Sequence, residues 1–268
     1  MTNWVRFDEN GTTGFGALDA AGTAIEVFDG DMFAGARPTG RKIAAATVRR
    51  LAPVVPSKIV ALWNNSRSSA EKQKIAPPLR PLFFIKTPNT YLAPGGAIRK
   101  PAAYDGRVIF EAELGVVIGK TCTGVTEQEA GDYIFGYTCI NDVTALQIIR
   151  EDDSFAQWSR AKNFDSFTPI GPVIATDIAP DALGGLAIRA ELNGRERQNY
   201  PVSDLFYSPQ ALVSLVSRDM TLVAGDIISC GTGPGAVPMK AGDRIDIIID
   251  RIGRLENEFV DEGTTAAD

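Results

Sequence analysis

Glu111 and Glu113 lie two residues apart inside an apolar stretch, Val108-Ile-Phe-Glu-Ala-Glu-Leu-Gly-Val-Val-Ile-Gly119. In a β-strand successive side chains alternate between faces, so both carboxylates project to the same side. Phe110, Ala112, Leu114, Val116 and Ile118 take the other face, while Gly115 and Val117, neither suited to water, continue the glutamates' own. Two like charges in a half-buried setting repel each other and resist ionising. A cation between them removes both penalties, and Mg²⁺, Mn²⁺ and Ca²⁺ prefer carboxylate oxygens. A bare Glu-x-Glu also reads as an edge strand with two solvated acids, so a third ligand decides.

Asp142 offers a third carboxylate that tips the balance. Residues 132–144 form another β-rich apolar segment, and it ends in Asn141-Asp142, where a strand runs out into a loop. Between the two segments, Thr126-Glu-Gln-Glu-Ala-Gly131 predicts a short helical turn opened by a capping box from Thr126 to Glu129. A strand, a turn of helix and a returning strand bring Asp142 back beside the glutamate pair. Three carboxylates make an oxygen site that leaves coordination positions open for substrate and water.

These segments sit in an ordered series of motifs: Phe84-Ile-Lys-Thr-Pro88 with Pro94-Gly-Gly96, the glutamate strand through Lys120, Gly136-Tyr-Thr-Cys-Ile-Asn-Asp-Val-Thr144, the run from Trp158 to Pro172, and Gly231-Thr-Gly-Pro-Gly235. In this order they resemble the fumarylacetoacetate hydrolase family over roughly residues 57–255. The resemblance implies a divalent metal, Mg²⁺ or else Mn²⁺ or Ca²⁺, held by Glu111, Glu113 and Asp142. It implies that Lys162 contacts substrate or reacting water and that Thr232 contacts substrate oxygens. Read alone, Lys162 between Arg160 and Asp165 is a surface lysine, and the Gly231 loop is a rigid connection without the Gly-Lys-Ser/Thr ending of a phosphate loop. Lys86 and Gln147 are weaker substrate-binding candidates. Asp165, Glu151, Asp152 and Asp153 read as solvated acids or caps.

One departure bears on the chemistry: the chain contains no histidine. Hydrolytic members of the family are similar in using a His–Glu pair on a short mobile segment to activate water. The corresponding segment follows the strand predicted over residues 58–62, and there Arg67 stands near the expected histidine and Glu71 near the expected glutamate. Arginine stays protonated and cannot act as a general base. Losing a positioned base costs roughly a hundred- to ten-thousand-fold in rate. Residues 63–72, polar and rich in Ser and Asn, are expected to form a lid that orders on ligand binding.

The resemblance therefore implies an enzyme that cleaves a C–C bond next to a carbonyl in a 1,3-dicarbonyl or 2-oxo acid, with the ion stabilising the enolate that leaves and Lys162 adding positive charge beside it. Hydrolysis is placed narrowly first, with Glu71 or metal-activated water replacing the histidine. The alternatives are a decarboxylase or a tautomerase/isomerase, which need no activated water, and a catalytically silent metabolite-binding relative with Arg67 fixing a carboxylate.

Composition agrees with such a small-molecule enzyme. The net charge of −6 and the lack of a long basic run argue against nucleic acid or anionic membranes as partners. No apolar stretch approaches the ~20 residues of a membrane span, and the first residues lack a signal-peptide layout. Cys122, Cys139 and Cys230 have no metal-ligand spacing and suit a reducing cytoplasm; a homodimer is expected.

The elements that must position the site fall into three parts. Residues 1–54 form a small β-rich module with strands near 4–7, 14–18 and 23–27 and a helix over 41–51 stopped by Pro53. Residues 55–260 form the catalytic domain, and 261–268 a disordered tail. Without regular βα alternation, the fold class is α+β, mainly β: a mixed sheet rolled or folded on itself, with few helices.

Overall fold

The computed structural model describes residues 2–261. Four antiparallel strands open the chain, β1 (Asn3–Glu9), β2 (Thr12–Leu18), β3 (Ala24–Asp29) and β4 (Arg37–Ala44), followed by β5 (Arg49–Leu51). The helix expected over 41–51 does not form. β4 pairs with β3 and β5 with β1, and Arg41 and Arg49 reach across to Glu9 and Asp8. Ladder hydrogen bonds and cross-strand ion pairs override a weak helical propensity there.

Next, β6 (Ile59–Trp63) leads into helix α1 (Arg67–Gln73), and β7 (Leu82–Lys86) returns beside β6. Then come β8 (Tyr91–Leu92), β9 (Ala97–Lys100), β10 (Val108–Ile109) and β11 (Ala112–Ile118). The predicted capping box at Thr126 and Glu129 opens α2 (Glu127–Ala130), and β12 (Ile134–Asn141) runs back along β11. After β13 (Thr144–Ala145), α3 (Trp158–Lys162) precedes β14 (Thr168–Ala175) and α4 (Pro180–Leu183). The chain closes with β15 (Ala187–Leu192), β16 (Arg195–Pro201), α5 (Pro209–Asp219), β17 (Ile227–Ser229), β18 (Asp243–Ile249) and β19 (Gly253–Asp261). Asp261, expected in the tail, thus ends a strand; residues 262–268 of that expected tail lie outside the described residues.

A 12-stranded sheet runs β4-β3-β2-β1-β14-β12-β11-β17-β6-β7, with β5 beside β1 and β8 beside β14. A five-stranded sheet, β16-β15-β18-β19-β9, folds across its centre, where β14 packs on β19 and β11 and β12 on β15 and β18. Pairing is antiparallel except at β17–β6, β14–β8 and β19–β9, so the sheets are mixed. The architecture is mainly β, with large mixed sheets and few helices, as the sequence predicts.

β11 is buried along its whole length. Leu114, Val116 and Ile118 join the core beneath the five-stranded sheet with Ile188, Ile245 and Ile247. On the other face Val117 packs in a second cluster with Ile140, Ile170 and Ile227. A strand covered on both faces needs a near-continuous apolar run, and residues 108–119 supply one. Burying each such aliphatic side chain is worth about 1.5–3 kcal/mol. That core is the rigid mount on which two carboxylates are placed.

Candidate active site

Ala112 pairs with Asn141 and Glu113 with Ile140. This register sets Asp142, one residue past β12, beside Glu111, one residue before β11. The Asp142 N–H donates to the Glu111 carbonyl at 2.9 Å, and the Glu111 N–H donates to Asn141 Oδ1 at 3.1 Å. Glu111, Glu113 and Asp142 each bring a carboxylate oxygen within 4.8 Å of the others, the grouping predicted from the sequence. Glu113 and Asp142 are buried, and Glu111 is half-buried.

Each acid is fixed by a different set of partners. Glu113 Oε2 accepts from Ser229 Oγ at 2.6 Å and from the Gly231 N–H at 2.9 Å; Oε1 takes part in neither bond. Asp142 Oδ1 accepts from Lys86 Nζ at 2.5 Å and Oδ2 from Lys162 Nζ at 2.6 Å. Lys162 also donates to Glu111 Oε2. Lys162 is therefore no surface lysine: its side chain is 2% exposed and lies 5.3 Å over the Phe84 ring.

The charges shift one another accordingly. Burial, then repulsion from Asp142 and Glu111, raises Glu113 well above the usual carboxylate range. Burial also raises Glu111, against the pull of Lys162. Burial pushes Asp142 upward as well, but Lys162 and Lys86 together hold it below its ordinary value. Burial alone would lower Lys162, yet Asp142, Glu111 and Glu113 outweigh it, so its ammonium stays protonated. Burial lowers Lys86 despite Asp142. A buried acid that resists ionising beside two others, all offering hard oxygens, fits a divalent cation.

Glu111, Glu113 and Lys162 open onto a cavity of about 830 Å³. Trp63, Phe84 and Trp158 form an aromatic wall, with Trp158 stacked on Phe84 at 5.8 Å and 5.4 Å from Trp63. Thr232 lines it too, on the loop after β17. That loop needs its glycines: Gly231 has φ +89 and Gly235 φ +118, and a Cβ on Gly235 would meet the Arg197 carbonyl at 2.1 Å. Gln147 lines the rim, where its Oε1 accepts from the Tyr104 hydroxyl and, at 2.8 Å, from the Arg107 N–H. Lys86 stands behind Asp142, fully buried and donating also to the Phe167 carbonyl at 2.8 Å; it is not on the wall.

Arg67 and Glu71 are exposed and do not line the cavity, and Arg67 instead lies 4.8 Å over the Phe206 ring. The wall residues of α1 are Ser69, Lys72 and Gln73, which sequence reasoning passed over. The local signal was there: Ser66 caps α1 by accepting from the Ser69 N–H at 3.1 Å. Starting the helix at Arg67 puts residues 69, 72 and 73 on one stripe and 67 and 71 on another. What could not be read is the anchor that aims the stripe. Asp204, far along the chain, accepts from Ser66 Oγ at 2.5 Å and Ser68 Oγ at 2.8 Å, and Ser69 Oγ donates to the Thr232 carbonyl at 3.1 Å.

The family model "Fumarylacetoacetate (FAA) hydrolase C-terminal" matches residues 58–260, and "Rv2993c-like, N-terminal" matches residues 3–53. The chain is similar to an uncharacterized protein of Archaeoglobus fulgidus, 39% identical over 95% of each chain. It is similar to the oxaloacetate tautomerase YisK of Bacillus subtilis, 35% identical over 76% of this chain and 70% of that protein. Among solved structures it superposes on 2-hydroxyhepta-2,4-diene-1,7-dioate isomerase from Mycobacterium marinum with a TM-score of 0.88, at 34% identity, covering 98% of this chain and 100% of that one. With a carboxylate trio, a buried lysine and a matching family model over most of its length, the chain belongs to the fumarylacetoacetate hydrolase family.

Proposed function

We propose that the protein is a divalent-metal-dependent enzyme that promotes enolisation of a small 2-oxo acid or 1,3-dicarbonyl compound, acting as a tautomerase/isomerase or a decarboxylase. Glu111, Glu113 and Asp142 would hold the ion, Mg²⁺ or Mn²⁺. Bound there, it would supply Lewis-acid polarisation of a substrate carbonyl. Lys162, kept protonated by three carboxylates, stabilises negative charge that develops on a substrate oxygen. The aromatic wall of Trp63, Phe84 and Trp158 limits water around that charge.

One observation carries the choice of reaction: the face of α1 toward the cavity offers Ser69, Lys72 and Gln73, and Glu71 points elsewhere. Hydrolysis is placed first on family grounds with Glu71 or metal-activated water in place of the histidine, and its Glu71 route loses its support. Enolisation and decarboxylation need no base there to activate water. The named relatives are an oxaloacetate tautomerase and a dienedioate isomerase, which supports the same choice.

The test is a substrate panel with added Mg²⁺ and with chelator. Enol-to-keto conversion and pyruvate release are followed with oxaloacetate, and acid release with acylpyruvates. Metal-dependent turnover of oxaloacetate with little acylpyruvate cleavage is expected. Faster acylpyruvate cleavage would restore the hydrolase, and binding without any turnover would leave a metabolite-binding relative.

A further inference from the structure

Ala112, the residue between the two glutamates, has an unusual set of backbone partners. Along β11, odd-numbered peptide groups turn to β12 and even-numbered ones to the other side: Glu111 accepts from Asp142 N–H, while Leu114 accepts from Cys230 N–H. On that other side β17 pairs only with Gly115, Val116 and Val117, and the chain then bends away into the loop at Gly231. Ala112 is therefore left at a strand edge without a neighbouring strand, and a buried peptide cannot stay unpaired.

Side chains take the strand's place. The Ala112 N–H donates to Gln198 Oε1 at 3.0 Å. Gln198 Nε2 donates to Thr232 Oγ1 at 2.9 Å and to the Gly233 carbonyl at 2.8 Å. Thr232 Oγ1 donates to the Ala112 carbonyl at 3.0 Å, which also accepts from the Tyr200 hydroxyl at 2.6 Å. Proton positions in this ring follow from chemistry. A peptide N–H requires an acceptor, so the oxygen of the Gln198 amide faces Ala112 and its NH₂ faces Thr232. A carbonyl can only accept, and of the two carbonyls near the Thr232 hydroxyl, Ala112 at 3.0 Å is closer than Gly233 at 3.5 Å, so the single hydroxyl proton goes to Ala112. One lone pair of Thr232 takes the Gln198 N–H, and one is left.

We propose that Gln198, bonded to the Ala112 N–H, is a positioning residue for the Glu111–Glu113 pair, and that Thr232, held between Gln198 and Ala112, presents to the cavity an acceptor and not a donor. This rests on the cavity being the substrate site. The ligand atom that meets the Thr232 hydroxyl then carries a proton itself: a hydroxyl, an enol or a water. A carboxylate or ketone oxygen finds no donor there while the Thr232 proton stays on Ala112.

Neutron diffraction from the whole protein in D₂O tests the proton positions with no ligand needed. The Thr232 deuteron is expected on the line to the Ala112 carbonyl; a deuteron aimed into the cavity overturns the proposal. Calorimetry on the Mn²⁺-loaded protein with two chelating probes, glycolate and oxalate, tests the consequence. Thr232→Val should weaken glycolate about five- to tenfold, the worth of one hydrogen bond, and leave oxalate within about twofold, with Thr232→Ser behaving as wild type. Equal loss of both probes, or loss of neither, overturns the acceptor assignment. Gln198→Leu, if its circular dichroism is native, should lower Mn²⁺ affinity about tenfold, in the range for residues that orient metal ligands; unchanged affinity overturns the positioning role. A Gln198→Leu chain that fails to fold leaves the neutron and Thr232 results to decide. Wild-type protein that binds no Mn²⁺ would break the metal reading above, while the neutron result would still decide this one.

Discussion

The two sides of the cavity are built in opposite ways. On the sheet side, the acids of the trio are tied to groups from several segments: Ser229, Gly231, Lys86 and Lys162. On the α1 side, Lys72 and Gln73 are exposed, and Lys72 has no ion pair among the described residues. The sheet side is over-determined and holds charge in place. The helix side is anchored at its first turn, by Ser66 and Ser68 to Asp204 and by Ser69 to the Thr232 carbonyl. Sites that hold an ion need fixed oxygens, whereas a wall facing a substrate needs only shape and polarity.

The comparison breaks most directly at the trio. Glu111→Ala, Glu113→Ala and Asp142→Ala should each weaken divalent-ion binding by more than about a hundredfold, since groups that merely orient ligands are worth about 10- to 100-fold. Calorimetric titration with Mg²⁺ or Mn²⁺ checks this; wild-type affinity in a folded single mutant would remove that residue from the proposed metal site.

Lys86→Met sharpens it from behind. It leaves Asp142 buried without the partner of its Oδ1, the kind of broken buried pair that costs about 3–5 kcal/mol. Urea unfolding measures it, and a loss under about 1 kcal/mol would mean that Asp142 is held by Lys162 alone.

The pH dependence of metal-free stability carries the same contrast. Glu113 is raised in the folded protein, so the stability of its protonated form is fully present below the ordinary carboxylate range and is lost as pH rises through its raised value. Metal-free protein should lose stability over that window, Glu113→Gln should flatten the loss, and Mg²⁺ should reverse it. Thermal unfolding across pH follows all three; a wild-type profile unchanged in Glu113→Gln would contradict the buried repulsion.

On the α1 side the effects are smaller. Ser66→Ala removes a cap and a bond to Asp204 and should cost about 1 kcal/mol of stability. Smallest of all, Glu71→Gln should change turnover of any substrate by less than about twofold, far below the loss of a general base. A larger fall, or an altered pH profile, would return Glu71 to the mechanism and hydrolysis to first place.

The sequence by itself determined the carboxylate trio. Alternation in an apolar strand puts Glu111 and Glu113 on one face, and a capping box between two strands brings back Asp142. Both rules act over a few residues, so no distant segment is needed to apply them. The same local reasoning failed for residues 41–51, where helical propensity is overridden by strands lying on either side. It also misjudged Lys162, which looks like a solvated lysine until α3 turns it onto Glu111 and Asp142. The tertiary structure alone decided which face of α1 meets the cavity, because that depends on Asp204, 138 residues from Ser66. It alone joined Gln198 to Ala112 across 86 residues. A hydrogen bond between groups so far apart leaves no period or spacing in the chain; it exists only once two sheets have folded face to face and excluded the water that would otherwise satisfy both ends.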